Sequence, residues 1–322
     1  MRKIALALAW LCASTPLADA TQVWFMPNDN IPRGVHRDIV LNHDFPHLFD
    51  SDPQWSARTD VFQISPALSG PEGPEDELLR VNAFLKQRHI KLATGVLATL
   101  MDEPKPPPTE CGYGIEGSRP PGQDELIFRR LKRLGMDIAY LSLDEPLFFN
   151  HFYQGRNACR HAIADVARRA AAAVAEIRKS YPDVRVEDDE APPPIPLAQW
   201  RDDFGAWLTA YREAAGAPFD AVAFDVNLFT DWRPRVAAGV AIARRNGVRA
   251  GIYIIKPGPG ASDAQAVAAY KQAIAAVDAS KITFDFVKIA NWTLHPSANL
   301  PQSEPTTLTY VLDYYNRTHG RE

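Results

Sequence analysis

Asp137-Ile138-Ala139-Tyr140-Leu141-Ser142-Leu143-Asp144-Glu145-Pro146 is a short apolar run that ends in two adjacent carboxylates and a proline. It reads as a buried strand that delivers Asp144 and Glu145 to a pocket. A helical pattern at 123–134 precedes it and an Ala-rich one at 158–181 follows. Working outward, strand patterns recur at 22–26, 61–65, 91–98, 184–189, 221–226, 249–255 and 284–292. Helix patterns fall at 49–58, 76–88, 197–215, 232–246, 262–279 and 305–315, with 3.6 spacing visible in Leu78, Val81, Phe84 and Leu85. Eight strands therefore alternate with eight helices, and the opening stretch is the fourth strand. This order predicts an α/β protein of the (β/α)8 TIM-barrel type, a single domain with long loops after its strands. An open doubly wound sheet is the main rival. No Gly-rich phosphate loop follows any strand, however, and Gly258 and Gly260 each follow a proline.

Arg2 and Lys3, the apolar run 4–12 and Ala18-Asp19-Ala20 have the layout of a secretory signal peptide over residues 1–20. Residues 21–322 then form the barrel, a natural length for a fold of about 250 residues with insertions. An exported protein, periplasmic or extracellular, is expected, and no later stretch has the roughly 20 apolar residues of a membrane span. In an oxidising compartment Cys111 and Cys159 are either a disulfide or two lone thiols. The formal net charge of −4 is too mild to suggest a nucleic-acid partner or an anionic membrane surface.

Connections from helix to strand are brief, as in Gly135-Met136, Tyr181-Pro182-Asp183 and Gly247-Val248. Those from strand to helix are long and Pro-rich, notably 99–122 and 146–157, which places the working end at the C-terminal mouth. Alternation sends Ser142 and Asp144 inward, with Gln63, Ser65, Arg185, Glu187, Asp189, Asp225, Tyr253, Lys288 and Trp292, opposite Val184, Val186, Val222, Phe224, Val287 and Ile289. A polar lumen is costly unless it is paired or serves a cavity. Two readings stay open: a ligand site, or a structural layer in which Arg185 and Lys288 neutralise Glu187 and Asp225.

Leu143-Asp144-Glu145-Pro146 resembles the fourth-strand ending of barrel glycoside hydrolases. Asn-Glu-Pro is common there in the large retaining clan, and an adjacent Asp-Glu pair marks the hexosaminidases. The retaining-clan likeness implies Glu145 as general acid/base and a second Glu at the end of strand seven. That strand ends Tyr253-Ile254-Ile255-Lys256 with no carboxylate, which counts against it. The hexosaminidase likeness implies Glu145 as proton donor and Asp144 orienting the substrate's own N-acetyl group. A third arrangement pairs Glu145 with Asp225 or Asp189 across the barrel. All three need one carboxyl kept protonated and another ionised. Against them stands a plain loop carboxylate pair before Pro146.

The run Glu187-Asp188-Asp189-Glu190 before Pro192-Pro193-Pro194 reads as a solvated acidic turn or part of a strand. A divalent cation there finds no ligand spacing, the histidines do not pair at metal spacing, and no Gly-x-Ser-x-Gly elbow occurs. No metal or cofactor is expected. Trp24, Phe148, Phe149, Tyr153, Trp232, Tyr253 and Trp292 are expected at or beyond strand ends, where rings stack on sugars, with Trp292 foremost. The expected substrate contacts are Trp292, Tyr253, Trp24, Glu187, Asn291 and Lys256; the expected catalytic residues are Glu145, Asp144, Asp225 and Asp189. The resemblance thus implies an exported hydrolase of an oligo- or polysaccharide, or a carbohydrate-binding barrel without activity.

Overall fold

Strands β1 (Gln22–Met26), β2 (Val61–Ile64), β3 (Lys91–Val96), β4 (Ile138–Asp144), β5 (Arg185–Glu190), β6 (Ala221–Phe224), β7 (Arg249–Ile254) and β8 (Phe286–Ala290) pair in parallel, in chain order. β8 returns to pair with β1, so the sheet has no edge and is the closed (β/α)8 barrel that the alternating pattern predicts. The computed structural model describes residues 21–29, 41–50, 53–97, 111–112, 115–118, 122–255 and 262–321. The signal-peptide expectation at 1–20 and the substrate-contact expectation at Lys256 lie outside them.

The helices are α1 (Pro66–Ser69), α2 (Glu75–Gln87), α3 (Gln123–Arg133), α4 (Ile163–Arg178), α5 (Leu197–Ala215), α6 (Arg233–Arg245), α7 (Asp263–Ser280) and α8 (Leu308–Thr318). Among the described residues no helix is long and apolar enough to cross a membrane. The expected helix at 49–58 is instead two 3-10 turns, Pro46–Phe49 and Gln54–Arg58. Pro53 separates them, because its ring and missing N–H cannot continue a helix. The break lets Trp55 enter the core, where it stacks on Phe84 at 5.7 Å and donates to the Leu48 carbonyl at 3.0 Å. The helix expected from residue 158 starts only at Ile163, since Asn157 and Arg160 take positive φ and Cys159 is bridged to Cys111.

Side chains on the outer face of the strands, such as Phe25, Phe62, Leu141 and Phe224, pack with the helices into one large apolar layer. Those facing the lumen form a second cluster around Trp24, Tyr140 and Phe286. Below these rings, Arg185 and Arg249 donate to the Tyr140 hydroxyl at 2.6 and 3.2 Å, and Arg249 also reaches Gln22 Oε1 at 2.9 Å. The same end is tied by three aspartates, each just before an even-numbered strand. Asp60, Asp220 and Asp285 accept from Val23, Val186 and Ala250 main-chain N–H groups at 2.7, 2.8 and 2.8 Å. The N–H of the second residue in β1, β5 and β7 is thereby paired, which completes the ladder at this end.

Gly239 lies in α6 directly over the Phe224 ring, and a Cβ there would sit 2.5 Å from a ring carbon. Alanine is the better helix former by about 1 kcal/mol in an open helix. Gly239→Ala should nonetheless lose about 1–3 kcal/mol through overpacking against a fully buried ring. Urea denaturation of the two proteins checks the sign, and a gain in stability would contradict the packing shown.

Candidate active site

The acidic run 187–190 is neither turn nor solvated: Glu187, Asp188, Asp189 and Glu190 are all buried in β5. Alternation divides them. Glu187 and Asp189 face the lumen, while Asp188 accepts from Trp207 Nε1 of α5 at 2.7 Å and Glu190 accepts from the main chain after β4. Four acids split between two faces of a strand cannot converge on one cation.

Lys288 sits among the lumen pair. Its ammonium has four acceptors in reach of its three N–H groups: Glu187 at 2.6 Å, Asp189 at 2.8 Å, and the hydroxyls of Tyr253 and Ser142 at 3.0 and 3.1 Å. The expected ion-pair layer therefore exists, with other partners: Lys288 neutralises Glu187 and Asp189, whereas Arg185 serves Tyr140. Burial pushes the Asp189 carboxyl up, but Lys288 and hydrogen bonds from Glu187 and Ser142 outweigh it and hold it below the usual range. Burial and the Asp189 charge push Glu187 well above its range, so the two share one cation and one proton.

Above this layer, Asp144 ends β4 and Glu145 follows it with φ +48°. A left-handed glutamate costs about 1–2 kcal/mol and persists only where its surroundings enforce it. Its N–H donates to the Asp189 carbonyl at 3.0 Å and its carbonyl accepts from Phe149 N–H at 3.0 Å. Asp225 follows β6, and its N–H donates to the Glu190 carbonyl at 3.0 Å. Burial, then the charges of Asp225 and Asp144, push Glu145 well above the carboxylate range. Burial and the Glu116 charge do the same for Asp144, and burial and Asp189 push Asp225 up to about 7. Among the described residues no hydrogen bond engages the carboxyls of Asp144, Glu145 or Asp225, while Asp189 is fully occupied by Lys288, Ser142 and Tyr253.

Glu116 is a member of this group that the sequence reading missed. It lies between β3 and α3, exposed, and its charge acts on Asp144, Glu145 and Asp225. Gly117 brings it there: a Cβ at Gly117 would lie 2.8 Å from the Glu145 carbonyl oxygen and from Pro146 Cα. Asn150 fixes the approach, donating to the carbonyls of Gly117 and Pro146 at 2.7 and 3.1 Å and accepting from Ser118 Oγ at 3.0 Å. The Cys111–Cys159 disulfide, with Cα atoms 4.9 Å apart, ties the same two loops. The signal that could have found Glu116 is its glycine, since only Gly allows such a close approach at positive φ.

Trp292 lies just beyond β8, 44% exposed, with its ring 5.7 Å edge-on from Tyr253. Phe229 and Leu294, on the loops after β6 and β8, are also exposed. The remaining expected contacts need correction. Trp24 is in mid-strand, 1% exposed, beneath the Lys288 ammonium at 4.8 Å, so its faces are already covered. Glu187 is committed to Lys288. Asn291 is buried and holds its own loop, donating to the Pro296 carbonyl at 3.0 Å and accepting from Thr293 N–H at 3.0 Å. Tyr253 spends its hydroxyl on Asp189 at 2.7 Å and serves as the wall behind Trp292. Trp232 is core, at the start of α6.

No family model matches the chain, and no curated protein matches it in sequence. Solved structures do match in fold. A psychrophilic glycoside hydrolase family 10 endo-β-1,4-xylanase aligns over 94% of this chain and 97% of its own at 12% identity, TM-score 0.55. A fungal β-1,4-galactanase aligns over 92% and 100% at 10% identity, TM-score 0.54. A family 10 endoxylanase from a sugarcane soil metagenome aligns over 92% and 97% at 11% identity, TM-score 0.52. Likeness at such identities establishes the barrel.

The carboxyls of Asp144, Glu145, Glu187, Asp188, Glu190 and Asp225 are all held above their ordinary values. The native state thus keeps protons that the unfolded chain releases near pH 4, so their contribution is complete below about pH 4 and is lost as pH rises through the native values. Asp189 and Asp263, held low, act in the opposite sense only below that window. The thermal midpoint should therefore fall as pH rises from about 5 to 8, with Asp225's share of the decline levelling off above about 7. Scanning calorimetry across that interval tests it; a midpoint that climbs with pH would contradict the burial described.

Proposed function

We propose that the chain is an exported glycoside hydrolase acting on an oligo- or polysaccharide, with Glu145 as its general acid. The observation that carries this reading is the division of the lumen acids. Asp189 and Glu187 are locked into the Lys288 layer, whereas among the described residues no hydrogen bond engages the carboxyls of Glu145, Asp144 and Asp225. Glu145 is kept protonated by burial and by Asp225 and Asp144, the state that a donor to a glycosidic oxygen needs.

In this mechanism Glu145 transfers its proton to the leaving oxygen as the C–O bond opens, and the carboxylate left behind withdraws a proton from the incoming water. Asp225, titrating at about 7, is the group that carries negative charge beside the developing oxocarbenium ion. Asp144 lies next to it and orients either the substrate or the attacking group. Asp189, with both oxygens occupied, supports them electrostatically and does not touch the sugar. Trp292 offers an exposed ring, and Phe229 and Leu294 are exposed on the loops after β6 and β8, which suits several sugar units better than one. The disulfide across the mouth loops suits an oxidising compartment and so supports export.

Against a panel of soluble β- and α-linked glycans, the wild type should release reducing ends. Glu145→Gln should lower kcat by about 10²- to 10⁴-fold while the affinity for the same glycan stays within a few-fold. Retained binding with no turnover by the wild type would sink the enzyme reading in favour of a binding-only barrel. Trp292→Ala should weaken binding about tenfold, the effect of one lost apolar face, with kcat moving less; equal KM values in the two proteins would remove the ring from the substrate path.

A further inference from the structure

Glu190 is completely buried on the outer face of β5, and no ion pair reaches it among the described residues. Its two carboxyl oxygens are spent on one neighbour: Oε1 accepts from Leu147 N–H at 2.7 Å and Oε2 from Phe148 N–H at 3.1 Å. Its main-chain carbonyl accepts from Asp225 N–H at 3.0 Å, and the residue before it, Asp189, accepts from Glu145 N–H at 3.0 Å. Two residues at the end of one strand therefore grip the chain on both sides of the mouth. An uncompensated buried carboxyl is an expensive way to satisfy two amides that water or a serine could serve. What the carboxyl adds, even when protonated, is two oxygens that can each accept one of these amides and so hold the turn after Glu145.

We infer that Glu190 is the positioning residue of the proposed acid: by clamping Leu147 and Phe148 it holds Glu145 in its left-handed conformation and fixes its separation from Asp225. This rests on the reading of Glu145 as the proton donor. Glutamine at 190 offers one acceptor and turns an N–H₂ toward the second amide, so the clamp loses one bond and gains a donor–donor clash. Asp188 provides the matched control, because it is buried on the same face of the same strand but bonds Trp207 in α5, away from Glu145.

The test compares Glu190→Gln and Asp188→Asn by steady-state kinetics and by ¹³C titration of the glutamate carboxyls, with the Glu145 signal assigned by its loss in Glu145→Gln. Glu190→Gln should lower kcat at least about tenfold with KM within about threefold, and should bring the Glu145 midpoint down by about half a pH unit or more as the freed side chain reaches solvent. Asp188→Asn should lose thermal stability yet keep both kcat and the Glu145 midpoint. If Glu190→Gln does not fold, Glu190→Asp takes its place, with both oxygens one methylene short of the amides and the same losses expected. An unchanged Glu145 midpoint in the Glu190 variant, or an equal change in Asp188→Asn, would overturn the assignment. Absence of glycan turnover by the wild type would refute the hydrolase reading alone, since the titration still decides the role of Glu190.

Discussion

One ammonium group, that of Lys288, sets the charge of everything around it. Bringing it and two carboxyls out of water carries a penalty of several kcal/mol per ion, which close contacts must offset. Glu187 and Asp189 supply those contacts at 2.6 and 2.8 Å, and the rings of Trp24 and Tyr253 lie 4.8 and 4.7 Å from the same nitrogen. A single cation cannot neutralise two carboxylates, so Asp189 takes the charge and Glu187 takes a proton. Burial does most to raise Asp225, Asp144 and Glu145, and the charge on Asp189 adds to it, most directly at Asp225. The Lys288 layer thus adds to a protonation that burial and the mouth acids themselves set.

The barrel was legible because its strands and helices alternate without interruption and because 137–146 combines a strand's length with an abrupt polar end. Alternation also assigned faces correctly: Glu187, Asp189, Tyr253 and Lys288 do turn inward. It could not assign depth. Trp24, Glu187 and Asn291 were expected to touch substrate, yet they lie below the mouth or inside a loop, where position depends on how far each strand is displaced along its neighbour, and a single strand does not encode that. The buried acidic run defeated the reading for another reason. A charged tetrapeptide next to three prolines looks solvated unless one knows that Trp207 and the amides of Leu147 and Phe148 wait on its far side. Glu116 has no local pattern at all; only the contact of Gly117 with the Glu145 backbone gives it a place.

That contact belongs to a wider division of labour. The lower end of the barrel is held by main-chain N–H groups meeting Asp60, Asp220 and Asp285, a set of bonds that leaves little to adjust. The upper end instead stores strain in Glu145 and confines it with Gly117, Asn150, Glu190 and the Cys111–Cys159 bridge. Residues 111–112 and 115–118 are consequently fastened to the loop after β4, and the acid is placed by its neighbours more than by its own strand.

The floor of the lumen bears on this chemistry as well. Trp24, Tyr140 and Phe286 fill the barrel below Lys288, with ring centroids 4.7 and 5.0 Å apart, and Arg185 and Arg249 close the opening beneath them through the Tyr140 hydroxyl. These rings and guanidinium groups occupy the lumen beneath Lys288, so a ligand meets the acids from the C-terminal end of the strands.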